Sequence, residues 1–195
     1  HELLILMTVG MSTIAGSVMV VYTTMLTPVY GSGLIGHFLT ASLISVPAGI
    51  MFANMMIPSE VKTDFPEGDS SKMYSSTVDA LTQGTKNGLE IFLSVIAMLI
   101  VVMALVFLVN SILDVFPDIN GSPITIERVL GLIFAPLAWF MGIPWEESLI
   151  AGQLLGVKTA LNEFVAYLYL SDSTEYNLSE KSRLIMLYAL CGFAN

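Results

Sequence analysis

The chain has 195 residues, 55% hydrophobic and only 12% charged, with 16 acids against 7 bases and a formal net charge of -9. Ordinary soluble domains carry roughly 25% charged residues, so too little polar surface is present here to face water on every side, and a mean hydropathy of +0.79 points to lipid instead. An acid excess without clustered Lys and Arg excludes nucleic-acid binding, which needs phosphate contacts, and a single cysteine, Cys191, excludes an internal disulfide.

The chain starts at His1 without an initiator Met or the basic n-region of a signal peptide, and it stops at Asn195 inside an apolar run. Both ends are expected to be internal to a longer protein. Residues 3–26 form 24 positions without charge, enough to cross a hydrocarbon core that needs about 20. The middle of this run holds Gly10, Ser12, Thr13, Gly16 and Ser17. Two readings stand: tight helix packing through small residues, or a helix break whose carbonyls and hydroxyls coordinate a cation. After Pro28 and the Gly31-Ser32-Gly33 turn, residues 34–57 form a second uncharged stretch, closed by Pro58. Residues 59–72 are polar, mostly acidic, and read as an aqueous loop. From 73 to 90 the spacing of Val78, Leu81, Thr85 and Leu89 predicts an amphipathic helix at the interface. Residues 91–109, interrupted only by Ser94, are the cleanest lipid-facing span.

Beyond a turn-rich loop at 114–123 the pattern changes. Residues 129–143 are apolar but short, contain Pro136 and end at Gly142-Ile143-Pro144; residues 149–157 are shorter still and carry Gly152 and Gly156. At about 1.5 Å per residue neither piece spans comfortably. Two short halves around a Gly/Pro turn predict a re-entrant helical hairpin, which is tolerated at membrane depth only where protein or a wet cavity shields it.

Glu163 stands out chemically, in Ala160-Leu161-Asn162-Glu163-Phe164-Val165-Ala166. A charge at the bilayer centre costs at least about 2.5–3.5 kcal/mol, so it needs a cavity, a partner or a ligand. Lys158, five residues earlier, lies about 140° away on an ideal helix, which disfavours a direct pair. Asn195 is the polar group of a second apolar run, where it suits an interhelical hydrogen bond as well as a site; Phe193 beside it suits core packing or stacking on a flat ligand. His37 reads as an interfacial residue, Glu146-Glu147 as a solvated helix start, Asn54 as the interface end of its span, and the twelve Met as pliable packing. No H-E-x-x-H, CxxC, GxSxG, P-loop or GxGxxG occurs, so hydrolase and nucleotidase chemistry has no support. An intramembrane enzyme using Glu163 as a base lacks a second catalytic group at the same depth.

Four strings then become recognisable together. Residues 135–167, APLAWFMGIPWEESLIAGQLLGVKTALNEFVAY, resemble the second re-entrant hairpin and following broken helix of the concentrative nucleoside transporters. Residues 7–22, MTVGMSTIAGSVMVVY, resemble their discontinuous fourth transmembrane helix. Residues 39–60 resemble the next span and ALCGFAN, 189–195, the start of the last one. The resemblance implies an all-α integral membrane protein: a polytopic helical bundle with a re-entrant hairpin and discontinuous transmembrane helices. It implies two transmembrane helices in 1–60 (the first discontinuous), a polar loop and amphipathic helix in 61–90, and a scaffold helix in 91–114. The hairpin and broken helix then occupy 124–170, and the final helix starts in 181–195.

Functionally the resemblance implies a multi-pass cell-membrane symporter that imports nucleosides by alternating access, with a cation gradient, in a homotrimer with one pathway per protomer. Glu163 would bind ribose hydroxyls, Phe193 and Asn195 would contact the nucleoside, and Val18 would lie against the base. Thr13, through its side chain, and Ile14, through its carbonyl, would coordinate sodium. No cofactor beyond the coupling Na⁺ is implied. Retention of Thr13-Ile14 favours sodium, with proton coupling as the alternative and a channel-type protein as the alternative of another class. The family's first re-entrant hairpin, with its base- and sodium-recognition motif, has no counterpart in these residues. The chain is therefore expected to hold about half of the binding site and not to transport alone. Base preference and membrane orientation stay open, since the bases Lys62, Lys72, Lys86, Arg128, Lys181 and Arg183 are scattered among several loops.

Overall fold

The computed structural model describes residues 2–58, 74–118, 121, 123–172 and 176–193, and every regular element among them is an α-helix. In chain order these are α1 (Glu2–Met11), α2 (Gly16–Tyr30), α3 (Leu34–Met56), α4 (Thr77–Leu113), α5 (Ile126–Phe140), α6 (Trp145–Ala160), α7 (Glu163–Ser171) and α8 (Glu180–Ala189). Two compact units result, one formed by His1–Pro58 with Val109–Asn195 and the other by Ser59–Leu108.

The first predicted span is broken. Helix α1 ends at Met11, α2 begins at Gly16, and Ser12, Thr13, Ile14 and Ala15 lie between them. The cluster of small and hydroxyl residues therefore marks a discontinuity, although packing is served too: a side chain at Gly49 of α3 would meet the Ser12 hydroxyl at 3.4 Å and the Thr8 carbonyl at 3.6 Å. Helices α1 and α2 together, then α3, then α4, are long and apolar enough to cross a membrane.

In the second unit, the amphipathic stretch to residue 90 and the apolar run from 91 are one helix. Nothing between Thr77 and Leu113 breaks the backbone, and the 37 residues rise about 55 Å, well beyond a roughly 30 Å hydrocarbon core. None of its residues is buried. Its apolar middle, including Ile91, Phe92, Leu93 and Ile100, lies open, as a lipid-facing surface requires.

The predicted hairpin is α5 and α6, 15 and 16 residues long, bent by 120° across a short break. Thr125 caps α5 by accepting from the Arg128 amide, and Pro136 does not stop the helix. Gly142, at φ 98° in the turn, has the backbone conformation that a side chain resists. The arms then close backbone to backbone. A Cβ on Gly152 would sit 2.5 Å from the Gly131 carbonyl and 2.7 Å from the Ala135 nitrogen; one on Gly156 would sit 2.5 Å from Leu130 Cβ. Such approaches are the usual way in which helices associate where no hydrophobic driving force separates protein from solvent.

Overpacking a tight contact costs typically about 1–3 kcal/mol. Gly152→Ala should therefore lower the melting temperature of the detergent-solubilised transporter by several degrees. Gly84→Ala, a helical position with open space around it, should leave that temperature unchanged or raise it slightly. Equal melting curves for wild type and Gly152→Ala would show that the arms separate freely.

Candidate functional site

A second break follows α6. Leu161 leaves helical geometry, Asn162 is fully extended (φ -172°, ψ 173°), and α7 starts at Glu163. The Asn162 side-chain oxygen accepts the Val165 amide at 3.0 Å, an N-cap of the usual kind. Capping by Asn162 therefore sets Glu163 in the first turn of α7, at the positive end of the helix, where an acidic group is favoured by about 0.3–1 kcal/mol and by more when partly buried.

Glu163 is only 7% exposed. Its Oε1 accepts a hydrogen bond of 3.1 Å from the Tyr22 hydroxyl, and Tyr22 belongs to α2. The two broken helices, 141 residues apart in sequence, thus meet through the one carboxylate buried among the described residues. Tyr22 is itself clamped: its ring lies 4.5 Å from Tyr167, 6.3 Å from Phe38 and 6.3 Å from Phe164, centroid to centroid.

The ends of the other elements converge on the first break. The Phe193 amide donates to the Met11 carbonyl at 2.8 Å, so the segment after α8 closes the end of α1. Gly192 packs directly on this end, since a Cβ there would be in van der Waals contact with the Ser12 carbonyl at 3.4 Å and that of Met11 at 3.5 Å. Among the described residues, the carbonyls of Ser12, Thr13 and Ile14 accept no hydrogen bond, and neither does the Thr13 hydroxyl. Helix α8 is tied in turn by two donors. The Tyr167 hydroxyl reaches the Leu187 carbonyl at 2.8 Å, and Lys158 Nζ reaches the Ala189 carbonyl at 2.9 Å.

The predicted residues therefore fall into place unevenly. Glu163 lies at the α2–α7 contact. Val18 sits in the first turn of α2, one turn before Tyr22 on the same face. Thr13 and Ile14 occupy the break, half-buried, and Phe193 lies against its rim. Asn195 lies outside the described residues. Sequence reasoning passed over Tyr22, although a tyrosine four residues after Val18 in an apolar helix is a signal of its own. Lys158, considered as a partner for Glu163, donates to the last turn of α8, and its charge and that of Glu163 also attract one another. Glu147, read as solvated, accepts from the Ser179 amide at 3.2 Å and hydroxyl at 3.0 Å, joining the start of α6 to that of α8. His37 shares a 3.0 Å hydrogen bond with Tyr188 across α3 and α8. The Asn54 amide turns back onto the Ile50 carbonyl at 2.8 Å.

A polar cavity of about 520 Å³ lies elsewhere, lined by Asn110, Thr125, Glu127, Arg128 and Gln153 with the stacked Tyr169–Tyr176 pair. Asn110 there donates to both oxygens of Glu127, at 3.3 and 3.1 Å, and accepts the Ile126 amide at 2.9 Å. These bonds fasten the end of α4 to the start of α5. None of the predicted site residues lines this cavity.

Comparison with known proteins gives the arrangement a context. Residues 37–195 match the family described as the Na⁺ dependent nucleoside transporter C-terminus. The chain is 38% identical to the transporter YutK of Bacillus subtilis (strain 168) over 200 residues, and 35% identical to the nucleoside permease NupC of Helicobacter pylori (strain ATCC 700392 / 26695) over 199. Each match covers 100% of this chain, 48% of the first relative and 46% of the second, so the chain spans about half the length of these relatives. The fold superposes with a TM-score of 0.80 and 33% identity on CNTnw in an inward-facing substrate-bound state, covering 100% of this chain and 46% of that one. An all-helical membrane fold with two broken helices and the family match over most of its length lead to one assignment: the chain belongs to the concentrative nucleoside transporters, multi-pass membrane proteins that are transporters and not enzymes.

Proposed function

We propose that this chain forms one side of the pathway of a cation-coupled nucleoside symporter, with sodium as the coupling ion. The observation that carries the reading is Glu163, a carboxylate buried at the N-terminus of α7 and met by Tyr22 from the other broken helix. Broken helices at membrane depth are where transporters of many folds place substrate and ion. A carboxylate offers about four lone-pair sites, and two vicinal ribose hydroxyls are donors of matching geometry. Hydrogen bonds to a charged acceptor are roughly twice as strong as neutral ones. Val18 supplies a branched aliphatic surface and Phe193 an aromatic one for the faces of the base, with Asn195 reading a polar edge.

Sodium coupling is supported by the chemistry of the first break. Thr13 contributes a hydroxyl and Ile14 a carbonyl, hard oxygens that suit Na⁺. The C-terminal end of α1 adds the negative end of its dipole, which favours a cation. Binding of the ion would stiffen the Ser12–Ala15 segment and so the α2 face that carries Val18 and Tyr22. Alternating access then follows from moving the broken elements against the spans around them, in a protomer of a homotrimer. Proton coupling is the second reading, because Glu163 is an acid at the same site.

Loss of a hydrogen bond to a charged group costs about 1.5–3 kcal/mol, or roughly 10- to 150-fold in affinity. Glu163→Gln in the intact transporter should therefore reduce sodium-driven uptake of radiolabelled uridine at low concentration by at least tenfold; unchanged uptake would remove the role given to the carboxylate. Thr13→Val should raise the sodium concentration for half-maximal uptake by about tenfold, the equivalent of 1.4 kcal/mol, while the uridine KM at saturating sodium stays near wild type. Accumulation driven by a pH gradient without sodium would decide for proton coupling, and flux that never exceeds equilibration would decide for a channel.

A further inference from the structure

Glu163 has two oxygens, and the protein treats them differently. Oε1 takes the Tyr22 hydroxyl. Among the described residues Oε2 has no donor, yet it is not sealed off from the surface. The terminal torsion of a glutamate is broad, so a carboxylate without such a tether would turn freely and lose that freedom on binding a ligand.

Tyr22 is well suited to tether it. Its side chain is 1% exposed, and it packs against Phe38 and Tyr167, both fully buried. The Phe38 and Tyr167 rings meet edge to face at 5.7 Å and 86°. The Tyr167 hydroxyl is committed to Leu187, so it does not compete for the carboxylate. Among the described residues the phenol of Tyr22 donates to Glu163 Oε1, within a cage of rings that holds it there. Val18 lies one turn earlier on the same face of α2. A single helix face would thus carry both a base contact and the group that aims the sugar contact.

We propose that Tyr22 is a positioning residue for sugar recognition: by holding Glu163 Oε1 it presents Oε2 to a ribose hydroxyl, and so sets how strongly the site prefers ribonucleosides over deoxy analogues. The proposal builds on the reading of Glu163 as the ribose acceptor. It adds that the selectivity of that acceptor comes from the other broken helix. It also makes sugar selectivity depend on the α2–α7 contact.

The test is binding and uptake of uridine, 2′-deoxyuridine and 2′,3′-dideoxyuridine by the intact transporter, as wild type, Tyr22→Phe, Glu163→Gln and the double variant. Tyr22→Phe removes one oxygen and keeps the aromatic cage. It should weaken uridine by about tenfold in KM, within the range for one hydrogen bond to a charged group, change kcat by less than about twofold, and leave dideoxyuridine near wild type. In the Glu163→Gln background the same change should add little, because the two residues act as one unit. Tyr22→His, which restores a ring donor, should recover part of the preference. Tyr167→Phe should lower thermal stability without altering the ratio between the nucleosides. Equal weakening of all three ligands by Tyr22→Phe, or a full additional loss in the double variant, would overturn the role of Tyr22 while leaving that of Glu163 intact. If Glu163→Gln alone left the uridine-to-dideoxyuridine ratio unchanged, the ribose-binding reading would fall, and the present proposal with it. Should Tyr22→Phe not accumulate, Tyr22→His decides by the same ratio.

Discussion

A helix broken inside hydrocarbon leaves backbone groups that water cannot reach, and each must find a partner within the protein or in a ligand. That constraint organises the first unit. The end of α1 is met by the Phe193 amide, the end of α8 by Tyr167 and Lys158, and the start of α7 by the side chain of Asn162. Three of these four partners come from a different element of the unit. Removing one would disturb a neighbour's terminus as well as its own, so the breaks behave as a linked set. What is left unmet among the described residues is equally informative: the carbonyls of Ser12, Thr13 and Ile14, the Thr13 hydroxyl and the second oxygen of Glu163 all lie within the set.

The supporting parts can be simple because the breaks are not. Helices α5 and α6 press glycine against backbone at Gly131, Gly152 and Gly156, so the α6 end that carries Lys158 is held by contact without side-chain freedom. Glu147 and Ser179 join the starts of α6 and α8. With one end fixed through Glu147 and the other through Lys158, α8 has a defined register against α6, and Cys191 to Phe193 leave it toward Met11. Precision at the first break is therefore inherited from the hairpin.

Much of this was legible in the sequence, for physical reasons that can be named. Uncharged stretches of sufficient length revealed the spans, and short halves around Gly142-Ile143-Pro144 revealed the hairpin. The break at Thr13 announced itself only as one of two readings, since small residues serve close packing as well as unwinding, and the structure uses them for both. The division at residue 90 followed a change in polarity, and the helix runs on through it from Thr77 to Leu113. Partner identities were the least legible. Tyr22 and Glu163 are 141 residues apart, and no periodicity relates them. The same holds for Lys158, whose distance from Glu163 along an ideal helix could be reckoned, while its bond to Ala189 depends on how α8 docks.

A carboxylate at membrane depth is costly, and the fold offsets only part of that cost. The α7 dipole and Asn162 cap provide a favourable terminus, and Tyr22 provides one strong donor. Together these are worth a few kcal/mol, comparable to the roughly 2.5–3.5 kcal/mol minimum for a buried charge but not to full hydration. A site optimised for stability would give Oε2 a donor as well, or replace the acid with an apolar residue, as buried charges often permit. Among the described residues the second oxygen has no donor, so the carboxylate is less stabilised than it could be. On the ribose-binding proposal, that unmet free energy would go to the ligand hydroxyl that supplies the donor. On that proposal the asymmetry is what matters: one oxygen would fix direction, and the other would discriminate.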